Sequence, residues 1–553
     1  MQSRNSESGC HCGETAGLQL SGRVNHRKMG WLRMIALVVF SGFAGCASKG
    51  PMPSYSTSSL PPMSESGQTE SPDRWWTTFN DRELDSQVNR ALGENLDLAI
   101  ALQRLRAAQA VTRREASDLY PDLNGFFVNQ NSFGPGPTDS RIDWGLDAAY
   151  QVDLWGRNRT RVAAEQLRTE ATRADYHAVA LTLSAEIARN WFALIEASAQ
   201  IELLEEQVET NVKGLKAVEL RYAEIGEGGS PNVLRQRGLV QSTLEQIIVV
   251  KADMEVLEHR LSVLTGQPPQ TASYITGSDF PELPPLPYTG LPSELLSRRP
   301  DVRAAYLALE AADRDVAVAV RDQYPRLDLS ASLVNSAENP ETLFRDWFLS
   351  IGGQLLGPIL DGGQRRAEVD RRKALVCERF AAYRQAILIA LQEVEDGLAL
   401  ERYQIERIEK LETQVQLAQL ASEQLLQFFI TGEATYLDVL SSNQTEQRLQ
   451  RSLLSARLDL ILNRIRLYLA LAGDFDTRPD PSLILPPSGP QNLSEITIDV
   501  PPQELDAEGA GLQDDTLDRS EPGIDSPEPE LPSTFRSVFS EFQSGSEQNI
   551  FSP

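Results

Sequence analysis

A chain of 553 residues with 41% apolar side chains has room for several ordinary domains and enough apolar material to fill their cores. Its mean hydropathy of −0.31 excludes a polytopic helical membrane protein. The formal charge of −26 argues against a nucleic-acid partner.

The N-terminus reads as an address. Arg23, Arg27, Lys28 and Arg33 precede an apolar run, residues 34–40, that is too short to span a bilayer as a helix. The run leads to Phe43-Ala44-Gly45-Cys46, and small residues just before a cysteine resemble the bacterial lipoprotein signal, with Phe43 in place of the usual leucine. Cys46 is therefore the expected lipidation site; an uncleaved anchor, or an ordinary signal with an incidental cysteine, are the competing readings. Met29 is an alternative start. The Pro/Ser-rich stretch that follows reads as a flexible tether. Cys10-His11-Cys12 lacks a second ligand pair, so no metal site is expected there.

The body repeats itself. Asp97 opens a helical run ending at Tyr120-Pro121-Asp122-Leu123, and Asp301 opens another ending at Tyr324-Pro325-Arg326-Leu327, each 204 residues later. Gly156 with Val162 recurs as Gly363 with Val369, and Leu264-Thr265-Gly266 as Leu471-Ala472-Gly473, both at 207. Gly226-Glu227 and Val233-Leu234 recur as Gly432-Glu433 and Val439-Leu440 at 206. So long a period points to a duplicated domain, not a solenoid.

Each copy reads as helix, two strands, a very long helix, a break and a further helix. From Ile142 to Leu154, apolar Ile142, Trp144, Leu146, Tyr150, Val152 and Leu154 alternate with Asp143, Gly145, Asp147, Gln151 and Asp153. Such alternation suits a membrane strand with lipid on one side and water on the other, though a soluble half-buried sheet gives the same pattern. Leu123 to Asn131 precedes it, and 327–333 with 347–352 form the second pair. Four strands cannot close a barrel, so strands in lipid require subunits that share one. No proline occurs from 157 to 230, and a helix over 159–225 would reach about 100 Å. Ile187, Leu194, Ile201, Val208 and Leu215 at intervals of seven predict its packed seam; Leu391, Val394, Leu398, Ile405, Ile408 and Val415 predict the second.

With these residues in view, the chain resembles the outer-membrane efflux protein (TolC-like) family, in the lipoprotein branch (NodT/OprM-like) serving resistance-nodulation-division pumps. The resemblance is carried by Leu291-Pro292-Ser293-Glu294-Leu295-Leu296-Ser297-Arg298-Arg299-Pro300-Asp301-Val302-Arg303, by Trp75-Trp76 with Phe79, by Asp153-Leu154-Trp155-Gly156-Arg157 and by Pro358-Ile359-Leu360-Asp361-Gly362-Gly363. It implies an α+β membrane protein: a trimeric twelve-stranded outer-membrane barrel, four strands per subunit, continuous with a periplasmic helical barrel. The implied function is the passive outer-membrane duct of a tripartite efflux system, partnered by a periplasmic adaptor and an inner-membrane pump. The expected layout is a signal segment at 1–45, a tether at 46–73, repeats at 74–282 and 283–474, and an acidic, Pro-rich disordered tail at 475–553. In 501–553 twelve Asp/Glu stand against two Arg.

By that resemblance the helix breaks are hairpin tips at the periplasmic end, where an adaptor docks and the duct narrows: Gly226, Val233 and Leu234 in one copy, Gly432, Val439 and Leu440 in the other. Asp438, with Asp143 and Asp147 on the strands, are the candidate pore-lining carboxylates. Asn232 stands where an aspartate is common, and Ser441-Ser442-Asn443-Gln444 replaces a frequent acidic run, so an acidic gate at Ser441 is absent. No catalytic group is expected: beyond the signal region only His177 and His259 remain, and no phosphate loop, metal-ligand pair or nucleophile motif is found. No cofactor is expected. Rival readings are a duct for type I protein secretion or heavy-metal efflux, and a non-conducting envelope scaffold.

Overall fold

The computed structural model describes residues 51–54, 60–69, 72–132, 135, 139–225, 229–269, 274, 277–290, 292–471, 475 and 477. In chain order these form a 3-10 turn Trp75–Phe79, α1 (Arg82–Glu94), α2 (Leu96–Ser117), β1 (Asp122–Ser132), β2 (Asp139–Val152), α3 (Arg157–Ile225) and α4 (Gly229–Leu264). There follow α5 (Pro292–Arg298), α6 (Pro300–Arg321), β3 (Arg326–Ala337), β4 (Trp347–Leu356), α7 (Gln364–Thr431) and α8 (Tyr436–Leu471). The two halves run through the same series with nearly equal lengths: α2 and α6 have 22 residues each, α3 and α7 have 69 and 68, and α4 and α8 have 36 each.

Side chains at the strand-to-helix junctions explain where the elements stop. The alternation expected to continue to Leu154 ends at Val152, because Asp153 turns its carboxylate onto the start of α3. It accepts from the Asn158 and Arg159 amides at 3.0 Å each, and Gly156 takes φ +71° to make the turn. Asp361 does the same for α7, accepting from the Gly363 amide at 3.0 Å.

The main core lies midway along the long helices. Trp75, Trp76 and Phe79 pack with Trp191 and Phe192 of α3 and with Tyr468 of α8. Trp75 stacks on Tyr468 with centroids 5.7 Å apart, and Trp191 Nε1 donates to Asp81 at 2.6 Å. The most apolar window of α3, of mean hydropathy 1.2, is 67% buried by this packing, so it is core.

The Arg-Arg-Pro-Asp motif is a clamp beside that core. Arg299 donates to Asp301 (2.7 Å), to Glu393 of α7 (2.6 Å) and to the Ala470 carbonyl of α8 (3.2 Å), while Pro300 starts α6. Burial raises the Asp301 pKa, but bonds from Arg299 outweigh it and hold the carboxyl below its ordinary value.

Two expectations need correction. The strict seven-residue seam holds at Ile187 and Leu194, both fully buried, then leaves the packed face: Val208 and Leu215 are half-buried, and the buried stripe continues through Leu204, Gln207, Asn211 and Val218. Asn190, Ala197, Leu204, Asn211 and Val218 are themselves seven apart, so the packed face keeps a seven-residue period and runs three residues on from the predicted positions, on the other seam position of the heptad. On α7, Val394 and Leu398 are buried but Ile405 is 49% exposed. The supposed tether, in its described part, is laid along the body. Met63, Leu60 and Met52 pack in turn against three apolar clusters that follow α7, built with α5 and α8, with α5 and α6, and with α6, and Gly67 and Tyr288 exchange backbone bonds with Pro287 and Thr69 at 3.0 and 2.7 Å.

Candidate functional site: a two-faced sheet and the hairpin tips

The strands form one antiparallel sheet in the order β1-β2-β3-β4. Residues directly opposite share a face, so the register sorts the side chains. Leu123 with Ala148, Phe127 with Trp144, Leu146 with Leu333, Tyr150 with Leu329 and Ile351 with Ala331 make one face almost wholly apolar. Asn124 with Asp147, Asp147 with Ser332, Asp143 with Ser336, Gln151 with Asp328 and Ser332 with Ser350 make the other mostly polar. Asp143 accepts from Ser336 at 2.6 Å and from Arg141 at 2.9 Å; Asp147 is exposed on the same face.

The apolar face is bare in the single chain. Phe127 is 68%, Leu349 68% and Ile351 78% exposed. Aromatic clusters bracket it: Trp144 meets Trp347 and Phe344 at 4.9 and 5.1 Å at one end, and Trp155 stacks on Tyr324 at 5.0 Å at the other, donating Nε1 to the Pro325 carbonyl at 2.7 Å. An apolar band between aromatic girdles is what a bilayer selects. The outer edges of β1 and β4 pair with no strand among the described residues.

At the far end of the long helices lie the tips. Gly226 and Cys46 are outside the described residues. Val233 is half-buried and Leu234 63% exposed in the first turns of α4. Gly432 ends α7 at φ +88°, where the Glu433 amide donates to the Phe428 carbonyl at 2.7 Å. Val439 and Leu440 are half-buried in the start of α8.

Asp438 is exposed and closes a reciprocal cap: its carboxylate accepts from the Thr435 amide at 3.0 Å and hydroxyl at 2.6 Å, and its own amide reaches Thr435 Oγ1 at 3.4 Å. Those Thr435 bonds hold its pKa below the ordinary value.

Sequence reasoning missed the contacts between the two tips. Arg221 of α3 donates to the Phe429 carbonyl at 3.1 Å and lies 4.3 Å over the Phe429 ring, while the Tyr436 hydroxyl donates to Gln236 of α4. Burial pushes the Tyr436 pKa up to about 12. Behind them runs a polar ladder: Asn211 bonds to Gln447 (3.0 Å) and Thr243 (3.1 Å), and Gln207 to Gln450 (3.0 Å). Gln200, Gln207 and Asn211 at helical spacing were its legible trace. Among the described residues no His/Cys/Asp/Glu group is placed to hold a metal ion.

The family model described as outer membrane efflux protein matches residues 88–267 and 291–473. The pyoverdine export outer membrane protein OpmQ of Pseudomonas aeruginosa is 32% identical over 427 residues, 73% of this chain and 88% of that one. The cation efflux system protein CusC of Escherichia coli is 26% identical, over 80% of this chain and 98% of its own. Among solved structures, the outer-membrane channel OprN superposes with a TM-score of 0.70 at 27% identity, over 76% of this chain and 99% of that one.

Proposed function

Because this chain belongs to the outer membrane efflux protein family and is an outer-membrane protein, we propose that it is the passive outer-membrane duct of a tripartite efflux system. The observation that carries the reading is a sheet with one bare apolar face, one polar face and two open edges, continuous with helices of about 100 Å. Backbone groups on an open edge cannot face lipid, so copies must close the sheet together. Two copies give about eight strands, whose interior side chains fill. Three copies of four strands make a twelve-stranded barrel with a lumen, and a homotrimer is the smallest ring that conducts.

In this reading the two repeats, 74–282 and 283–474, alternate around the ring. Asp143, Asp147 and Asp438 face the water-filled path. Lipid at Cys46 tethers the chain to the inner leaflet, and the packed segment 60–69 carries that attachment to mid-body. The tips around Gly226, Val233, Leu234, Gly432, Val439 and Leu440 receive the adaptor, which joins the duct to a resistance-nodulation-division pump. Exposed Leu220, Tyr222 and Leu234 on one hairpin, and Phe428, Ile430 and Leu437 on the other, supply apolar surface for that contact. Relatives named for a pyoverdine exporter and for a cation efflux system both match, which fits a conduit that leaves selection to its pump.

The test is conductance of the purified full-length protein in planar bilayers. Stepwise single-channel currents are expected; a folded, membrane-inserted oligomer that passes no current would assign the chain to a scaffold role.

A further inference from the structure

We infer that the open edge of β4 pairs with the open edge of β1 of the next copy in one specific register, with Leu355 opposite Phe127 and Ile359 opposite Leu123. Residues 357–360, which lie beyond β4 in the single chain, are the last rungs of that seam. The inference rests on the shared-barrel reading and specifies its joint.

The internal offsets determine the register. α2 and α6 begin 204 residues apart, at Leu96 and Pro300. α3 and α7 begin 207 apart, at Arg157 and Gln364, and α4 and α8 begin 207 apart, at Gly229 and Tyr436. β1 follows α2 as β3 follows α6, so β1 maps onto β3 by 204. β2 leads into α3 as β4 leads into α7, so β2 maps onto β4 by 207.

These offsets come from helices alone, and the sheet checks them. Asp122 faces Ala149. Advanced by 204 and 207 the pair becomes Arg326 and Leu356, which do face each other. The whole β3–β4 ladder is thus reproduced from the β1–β2 ladder.

The same step converts the β2–β3 ladder into the joint between copies, since in a closed ring β4 meets the next β1 as β2 meets β3. Val152 faces Leu327; Val152 advances by 207 to Ile359, and Leu327 moves back by 204 to Leu123. Ala148 facing Ala331 gives Leu355 facing Phe127, and Asp143 facing Ser336 gives Ser350 facing Ser132. Every residue of β1, 122–132, then has a partner in 350–360.

Two further observations agree. Leu355 and Phe127 both lie on the apolar face, opposite Leu327 and Trp144, and both are bare in the single chain, at 67% and 68% exposed. A one-residue slip would set apolar against polar side chains along the whole joint. Ile359, 99% exposed on a bend beyond β4 that pairs with no strand among the described residues, meets Leu123, itself 67% exposed. Gly145, where an added Cβ would sit 2.2 Å from the Leu333 carbonyl oxygen, maps onto Gly352, so a glycine stands at the matching position of the joint.

The experiment is disulfide trapping of the full-length chain in outer membranes, with Cys377→Ser as background. Directly opposite residues have Cα atoms ~4.5–5.5 Å apart, within disulfide reach; a two-residue slip adds ~6.6 Å along the strand and removes it. Leu355→Cys with Phe127→Cys is expected to give covalent oligomers on oxidation that collapse on reduction. Leu355→Cys with Gly125→Cys, or with Asn129→Cys, is expected to stay uncross-linked. Ile351→Cys with Asn131→Cys is the second pair, should the first impair delivery. Trapping of a slipped pair, or no trapping of either predicted pair in variants that still form oligomers, overturns the register alone. A detergent-purified parent protein that is monomeric overturns the shared barrel with it.

Discussion

Arg464 is the buried charge whose removal has the most predictable consequence. Its side chain is 2% exposed and every nitrogen of its guanidinium is bonded: Nε and Nη2 both bond Glu401, Nε at 2.8 Å, and Nη1 donates to the Pro284 and Pro285 carbonyls, the latter at 3.0 Å. The linker joining the two halves is thereby pinned to α7 and α8. Arg464→Met leaves the 6% exposed Glu401 carboxylate unpaired, which costs about 3–5 kcal/mol. Arg464→Met with Glu401→Leu leaves only linker carbonyls short of a donor, about 1–3 kcal/mol. A large membrane protein does not unfold as two states, so the readout is a rate: how fast the detergent-solubilised protein becomes trypsin-sensitive at fixed temperature. At ~1.4 kcal/mol per tenfold, the single variant decays up to about 10²–10³ times faster than the parent, and the double variant recovers about 25-fold of that at the middle of the two ranges, about 2 kcal/mol. A single variant within twofold of the parent, or a double variant that decays faster than the single, would refute the reasoning.

Asp438 tests lining against capping. Asp438→Asn keeps an acceptor for Thr435 and removes the charge, so a lining role predicts weaker cation selectivity at unchanged open probability; a purely capping role predicts no change in either, while Asp438→Ala frays the start of α8. Glu368 gives a pH test. Bonds from Arg371 and Arg372 lower its pKa from 4.5 to about 2, so its contribution is complete above pH ~4.5 and is lost as pH falls through about 2. Glu368→Gln should therefore lower the heat resistance of the protein at pH 7, and the gap to the parent should narrow below pH ~4.5 and close only below about pH 2.

The strands were legible because one face of each is uniform: Ile142 to Val152 alternates strictly, and a period of two over that length matches the pleat of a strand and the turn of no helix. The long helices were legible from an absence, since a proline-free stretch as long as 157–230 has little alternative to a helix. Asp153 was not readable as a cap, because on the strand pattern it occupied a polar position like any other, and only the turn at Gly156 assigns it. Residues 46–73 read as a tether because Pro and Ser dominate 50–72; what fixes the described part is three spaced side chains, Met52, Leu60 and Met63, too sparse to register as a pattern. The tip contacts were invisible for another reason. Arg221 and Phe429 are 208 residues apart in sequence, and neither belongs to a motif.

What the buried side chains do along α3 connects the fold to the proposed duct. At mid-body they are large and apolar, Ile187, Trp191, Phe192 and Leu194; nearer the tip they become Gln200, Gln207 and Asn211, answered by Gln447, Gln450 and Thr243. Helices that match only through an apolar seven-residue repeat can slide by a heptad at small cost, whereas Asn211 with Gln447 pairs in a single register. Polar pairing therefore fixes alignment where apolar packing is thinnest. It also leaves that end the less stable one, because a hydrogen bond exchanged with water is worth far less than a buried aromatic. In the duct proposed above, opening is thus cheapest at the tips and dearest at mid-body, so the adaptor proposed to grip Val233, Leu234, Val439 and Leu440 would work on the part of each subunit that yields first, while the Trp75 and Arg299 clusters would keep the rest of the tube aligned.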